Sequence, residues 1–126
     1  VPDIDSVVPQ FVEAYAARDA DAMRAVLAED LTAYVTNAEG GVDRVDGREG
    51  YVQGLLALDA PELSVRVTQT VTVALDSTLT MVEIRAERGD KKLHNFAAFL
   101  ARIEHEQVVE LWMVEALPAY SAEFWQ

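Results

Sequence analysis

The sequence predicts an α+β domain, N-terminal helices packed on an antiparallel sheet. Three observations carry that prediction. Helical periodicity is confined to the first half of the chain, with strand alternation and hairpin signals in the second. Helices first and a meander of strands after is the order of an α+β architecture. The 126 residues, 51% of them hydrophobic, suffice for one core without staples. One domain spanning residues 1–126 is expected, with no repeat, linker or low-complexity tract.

Ile4, Val7, Val8, Phe11, Val12 and Tyr15 fall on one face of a 3.6-residue period and predict the first helix. Asp5 or Ser6 can cap it, and Pro9 is tolerable near its first turn. Arg18-Asp19-Ala20-Asp21 breaks it, and Asp19 or Asp21 caps a short second helix carrying Met23, Val26 and Leu27. Leu31 to Thr36 alternates like a strand, Asn37 to Gly41 turns, and Val42 to Val45 returns. Asp46-Gly47-Arg48-Glu49 has capping-box spacing, with Asp in place of Ser or Thr, and opens a third helix bearing Tyr51, Val52, Leu55, Leu56 and Leu58.

After Pro61 the period changes to two. Leu63 to Leu75 alternates, Asp76-Ser77 turns, and Leu79 to Arg88 follows. Gly89-Asp90 is a strong hairpin signal, leading to Lys91–Ile103. Glu104 to Gln107 turns again, Val108 to Ala116 is the last long strand, Pro118 stops it, and Ala119 to Gln126 is a short aromatic tail.

Charge and composition exclude several classes. With 22 acidic against 10 basic residues the net charge is −12, which repels phosphate backbones and anionic membranes. No nucleic-acid or membrane partner is expected. There is no cysteine, so disulfides and thiolate chemistry are excluded. Two histidines on separate elements do not make a metal motif, and no metal or other cofactor is expected. Gly40-Gly41 lacks the context of a phosphate loop, and no nucleophile-elbow serine occurs. The opening Val1-Pro2-Asp3-Ile4-Asp5 has no signal-peptide design, so a cytoplasmic location is the expectation.

The order of these motifs resembles a known family. Phe11-Val12-Glu13-Ala14-Tyr15, Ala17-Arg18-Asp19-Ala20-Asp21 and Val26-Leu27-Ala28-Glu29-Asp30 look like the opening of the nuclear transport factor 2-like superfamily. Asp46-Gly47-Arg48-Glu49 and the closing Val108-Val109-Glu110-Leu111-Trp112 resemble its third helix start and its final strand, and the SnoaL-like branch looks nearest. The resemblance implies a conical, cystatin-like fold with a cavity between sheet and helices, often dimeric. It implies no single activity, since the superfamily spans isomerases, dehydratases, epoxide hydrolases, cyclases and non-catalytic adaptors. Phe11 stands where steroid isomerases carry an oxyanion-binding tyrosine, and Val35 near their aspartate base, so that chemistry is not expected. Arg85-Ala86-Glu87 is a loose counterpart of the epoxide hydrolases' Arg-x-Asp; their last-strand acid falls near Met113, with Glu115 one inward position further on.

Hairpin arithmetic gives an independent site prediction. A two-residue turn at Gly89-Asp90 sets Arg85 opposite His94 and Glu83 opposite Phe96; pairing Ile103 with Val108 sets Phe96 opposite Glu115. A turn at Asp76-Ser77 sets Thr70 opposite Glu83 and Thr68 opposite Arg85. Alternation then gathers Arg66, Thr68, Thr70, Glu83, Arg85, His94 and Glu115 on one face with Phe96, Ala98, Leu100, Leu111 and Met113. This is the face expected to line the cavity. Arg85, His94 and Glu115 are the candidate catalytic residues: Arg85 for a developing oxyanion, His94 or Glu115 for proton transfer. Tyr15, Tyr51, Glu83, Phe96, Leu111 and Met113 are candidate ligand contacts. The other face, with Val65, Val71, Ile84, Phe99, Trp112 and Val114, is too apolar for water and predicts a homodimer. The expected function is binding of a small, largely apolar organic molecule, with cofactor-free acid–base catalysis; the alternative is a ligand-free dimeric assembly module in which Arg85, Glu83, Glu115 and His94 form only an ion network.

Overall fold

The structure, a computed structural model, describes residues 4–58 and 62–126. The opening at Val1, Pro2 and Asp3 and the helix-to-strand break at Pro61 lie outside the described residues. A short 3-10 turn, Ile4–Ser6, leads into α1 (Val7–Ala16) and α2 (Ala20–Ala25), then β1 (Leu27–Thr36), β2 (Val42–Asp46) and α3 (Arg48–Ala57). The meander follows as β3 (Ser64–Ala74), β4 (Ser77–Arg88), β5 (Lys91–Glu104) and β6 (Gln107–Glu115), and α4 (Pro118–Trp125) closes the chain. The strands form one curved six-stranded sheet in the order β2-β1-β6-β5-β4-β3. β1 and β6 are parallel; every other pair is antiparallel.

α1 forms because its apolar residues recur at helical spacing, and it buries Val7, Val8, Phe11, Val12 and Ala14. Phe11 is 2% exposed and sits between Tyr51, at a ring-centroid distance of 6.0 Å, and Phe99, edge-on at 6.3 Å. The sheet accepts the helix because Ala33, Ala86, Ala97 and Ala101 are buried among its strands. Small side chains in the concave floor leave the depth that Phe11 and Phe99 fill. Asp19 caps α2 through Ala22 N–H, as its position before the helix predicts. The capping box expected at Asp46 is absent. Gly47, at φ 92°, is the N-cap of α3, while Asp46 closes β2 and Glu49 pairs with Arg24 instead.

Register decides which side chains face the helices. The β4–β5 hairpin turns as predicted: Arg88 opposite Lys91, Arg85 opposite His94, Glu83 opposite Phe96. Its buried face consists of Thr78, Thr80, Val82, Ile84 and Ala86 with Leu93, Asn95, Ala97, Phe99, Ala101 and Ile103. Glu83, Arg85, His94, Phe96, Ala98 and Leu100 are therefore on the outer face, the reverse of the expectation.

Two irregularities alter the rest. Ile103 does pair with Val108, but a bulge follows, so Arg102 pairs with Glu110 and Ala97, not Phe96, opposes Glu115. One extra residue exchanges the faces of all of β6 beyond it. Leu111, Met113 and Glu115 turn inward; Trp112 and Val114 turn outward. In β3 the turn sits at Leu75-Asp76, one residue earlier than predicted, and register shifts fall between Val67 and Gln69 and between Thr72 and Ala74. Thr70 thus pairs with Thr80 and Arg66 with Glu83. The predicted oppositions of Thr70 with Glu83 and Thr68 with Arg85 do not form.

Candidate functional site

The inner face of the sheet, α1, α3 and α4 enclose a cavity of about 390 Å³. Its floor and walls are Val65, Ile84, Leu93, Phe99 and Met113 from the sheet, with Phe11, Tyr15, Tyr51 and Leu55 from the helices. Its rim is the β1–β2 turn on one side, through Asn37, Glu39 and Asp43, and α4 on the other, through Pro118, Ser121 and Trp125.

Each rim is held by an asparagine. Asn37 Oδ1 accepts from Glu39 N–H and Gly41 N–H, and its Nδ2 donates to Asp43. This is the local side-chain-to-backbone bonding that makes asparagine a turn residue. Asn95 is 1% exposed. Its Oδ1 accepts from the backbone N–H of Phe96 and Leu117, so its Nδ2 faces the other way, donating to Glu115 Oε2 at 3.2 Å and Leu117 O at 3.2 Å. The carboxamide has one orientation consistent with its neighbours, and that orientation offers N–H to Glu115.

α4 is fixed from outside the cavity. Tyr120 donates to Lys92 O and accepts from His94 N–H; Arg88 reaches Phe124 O and Gln126 O; Lys91 reaches Glu123 O. Cations thereby meet the carbonyls that a helix leaves free at its C-terminal end.

Among the described residues, Glu115 is the one ionisable side chain that β4–β6 contribute to the cavity lining. Burial pushes its carboxyl above the ordinary carboxylate range; bonds from Ser121 and Asn95 to the ionised form pull only partly back. Tyr51, fully enclosed, has its phenol pushed well up by burial and stays neutral.

Of the residues predicted for the site, Tyr15, Tyr51, Met113 and Glu115 line the cavity. Leu111 is on the inner face but sealed in the core at 1% exposure. Arg85, His94, Glu83 and Phe96 are on the outer face. Arg85 and His94 therefore do not converge with Glu115, and the network joining all four does not form. Outside, Arg66, Arg85 and His94 all contact Glu83, at 2.8, 3.3 and 2.8 Å. The bonds from Arg66 and then His94 hold the Glu83 carboxyl down at about 2.

The predicted apolar face divides too: Val65, Ile84 and Phe99 are inside, Val71, Trp112 and Val114 outside. Asn95, a hydrogen-bond donor to Glu115, was missed. Its inward position followed from the hairpin arithmetic once the buried face of β5 was chosen correctly. No group of histidine, aspartate and glutamate side chains among the described residues is arranged to hold a metal ion. No described helix is long and apolar enough to cross a membrane.

Residues 8–111 match the family described as SnoaL-like domain. No curated protein matches by sequence. Among solved structures, a protein of unknown function with a cystatin-like fold from Xanthomonas campestris superposes with a TM-score of 0.80 at 15% identity, covering 98% of both chains. IdmH of Streptomyces antibioticus, described as a candidate polyketide cyclase, gives 0.77 at 16% identity, over 97% of this chain and 98% of its own. An epoxide hydrolase of the LEH-like type from M. tuberculosis gives 0.76 at 15%, over 96% and 88%. At such identities the likeness shows the fold alone: nuclear transport factor 2-like, helices packed on a curved six-stranded sheet.

Proposed function

This chain belongs to the SnoaL-like family, and from that premise we propose that it binds a small, largely apolar organic molecule in the cone cavity, with Glu115 moving the proton in a cofactor-free acid–base reaction. The observation that carries the reading is a single carboxyl group set in a concave apolar wall, with its pKa raised by burial and its position fixed by Asn95. A carboxyl tuned upward exchanges protons nearer to neutral pH, which is what a general acid or base requires. The cavity is within the range of roughly 300–1,000 Å³ usual for small-molecule sites. The names borne by two fold neighbours, a candidate cyclase and an epoxide hydrolase, agree with this class of chemistry and choose no member of it.

The outer sheet face supports a second element of the reading, a homodimer. Phe96, Leu100, Val114 and Val71 are 45%, 42%, 45% and 49% exposed there, beside Trp112 stacked on Tyr34. An apolar face of this extent seeks cover, and a second copy of the same face supplies it.

Native mass spectrometry of the purified protein, before and after denaturation, tests both elements. A small molecule retained by the native protein, and lost or weakened in Glu115→Gln, is the expected result. Equal retention and turnover in that variant overturns the role of Glu115. A dimer that Leu100→Lys converts to monomer is expected; a monomeric parent protein overturns the assembly.

A further inference from the structure

The cavity's charge goes beyond its shape. Among the described residues, three ionisable side-chain carboxyls reach it: Glu115 within, Glu39 and Asp43 at the rim. Among the described residues that line it there is no lysine, arginine or histidine. The nearby arginines bond elsewhere: Arg18 to Leu56 O and Leu58 O, Arg88 to Phe124 O and Gln126 O. The remaining walls are mainly aromatic and aliphatic, with the rings of Phe11 and Tyr51 from the helices meeting Phe99 of the sheet, Trp125 at the rim, and the uncharged polar Thr36, Asn37, Ser121 and Gln126 between them.

Each of these features discriminates by charge. An anionic ligand would meet carboxylates with no countercharge, in a site where burial strengthens the repulsion. A cationic nitrogen would meet a carboxylate through a charge-assisted hydrogen bond, and ring faces that attract cations. The protein's net charge of −12 adds a field of the same sign.

We infer that the ligand of this cavity is a small organic amine, bound as its ammonium with Glu115 as counter-ion and the aromatic walls around its hydrocarbon part. The inference rests on the cavity being a ligand site and deepens that reading. Asn95 and Ser121 hold the carboxylate in place without neutralising it. Among the described residues, the titratable groups that face it across the cavity are Tyr15, Tyr51, Glu39 and Asp43, none of them basic. Ammonium binding requires Glu115 ionised. Affinity is therefore full above its raised pKa and falls as pH drops through it.

Isothermal titration at physiological ionic strength with three probes of one skeleton, phenylbutylamine, phenylbutanol and phenylbutanoate, tests the inference. The amine is expected to bind about tenfold more tightly than the alcohol, and the carboxylate more weakly than either. In Glu115→Gln the amine's advantage is expected to vanish while the alcohol's affinity holds. Amine affinity in the parent protein is expected to fall between neutral pH and pH ~4, and to stay flat in the variant. If the alcohol matches the amine, or if the amine's advantage survives Glu115→Gln, the inference fails and the cavity reading stands. Saturable binding of the carboxylate ahead of the amine also overturns it. Binding of none of the three sinks the inference together with the reading beneath it.

Discussion

The two faces of β5 differ by one residue in phase and by nearly everything in environment. Leu93, Asn95, Ala97, Phe99, Ala101 and Ile103 are all buried; Lys92, His94, Phe96, Leu100 and Arg102 alternate with them and reach water to varying extents. The outer set holds all of the charge yet keeps two large apolar groups, Phe96 and Leu100, against three on the buried side. Hydrophobicity alone does not separate them. Size does: the buried face has alanines where helix α1 must come close, and a phenylalanine where it must be met. The carboxylates differ in the same way. Glu83, outside among Arg66, His94 and Arg85, is held ionised far below the usual range, whereas Glu115, inside with only amide and hydroxyl partners, is held nearer to neutrality. Crowding with cations marks a solvated surface here, and sparseness marks the site.

The sharpest way to break that contrast is by truncation. Phe11→Ala, beneath the sheet, is expected to cost about 3–5 kcal/mol in urea melts, as aromatic truncations in packed cores do. Phe96→Ala on the outer face of dilute protein is expected to fall within about 1 kcal/mol of the parent. Equal losses would erase the distinction between the faces.

A smaller effect tests the inner carboxyl. A group whose folded pKa is raised binds protons more tightly in the folded state. Stability therefore rises as pH falls through the raised value toward the ordinary carboxylate value near 4, and the full penalty applies above it. Glu115→Gln removes that penalty and is expected to leave melting at pH 7 unchanged or slightly higher, with a flatter pH profile on the acid side. A marked loss at neutral pH would instead assign Glu115 a structural ion partner.

The smallest expected effect lies outside. Glu83 is depressed, so its contribution is present above the ordinary carboxylate pKa and is lost as pH falls toward about 2. Exposed pairs are screened and weak, so Arg85→Ala is expected to leave the melting midpoint nearly unmoved and ligand retention unchanged. Loss of retention in that variant would bring the outer cluster back into the site.

The sequence carried the element order, the β4–β5 register and the two helix tyrosines at the cavity, because period, turn glycine and hairpin arithmetic are local. Two further questions were not local. Which face of β5 turns inward depends on where α1 lands. The bulge after Ile103 leaves little compositional mark. Val108 and Leu111 are both buried though three positions apart, a parity that alternation alone cannot satisfy. That mismatch was the available sign of an inserted residue. Reading β6 without it put Glu115 in the company of Arg85, and the observed strand separates them. Asn95 was hidden for a related reason: an asparagine in a strand interior looks like a solvent position until its four hydrogen bonds are seen.

Those bonds also govern traffic. Asn95 binds the backbone of Leu117 through both an N–H and a carbonyl, so the point where β6 hands over to α4 is tethered to the middle of β5. Asn37 ties the opposite rim to itself and to Asp43. With both jaws tied by these bonds, the proposed ligand site has a mouth of set width, and on that reading a molecule's narrowest cross-section decides its entry before any chemistry inside can act.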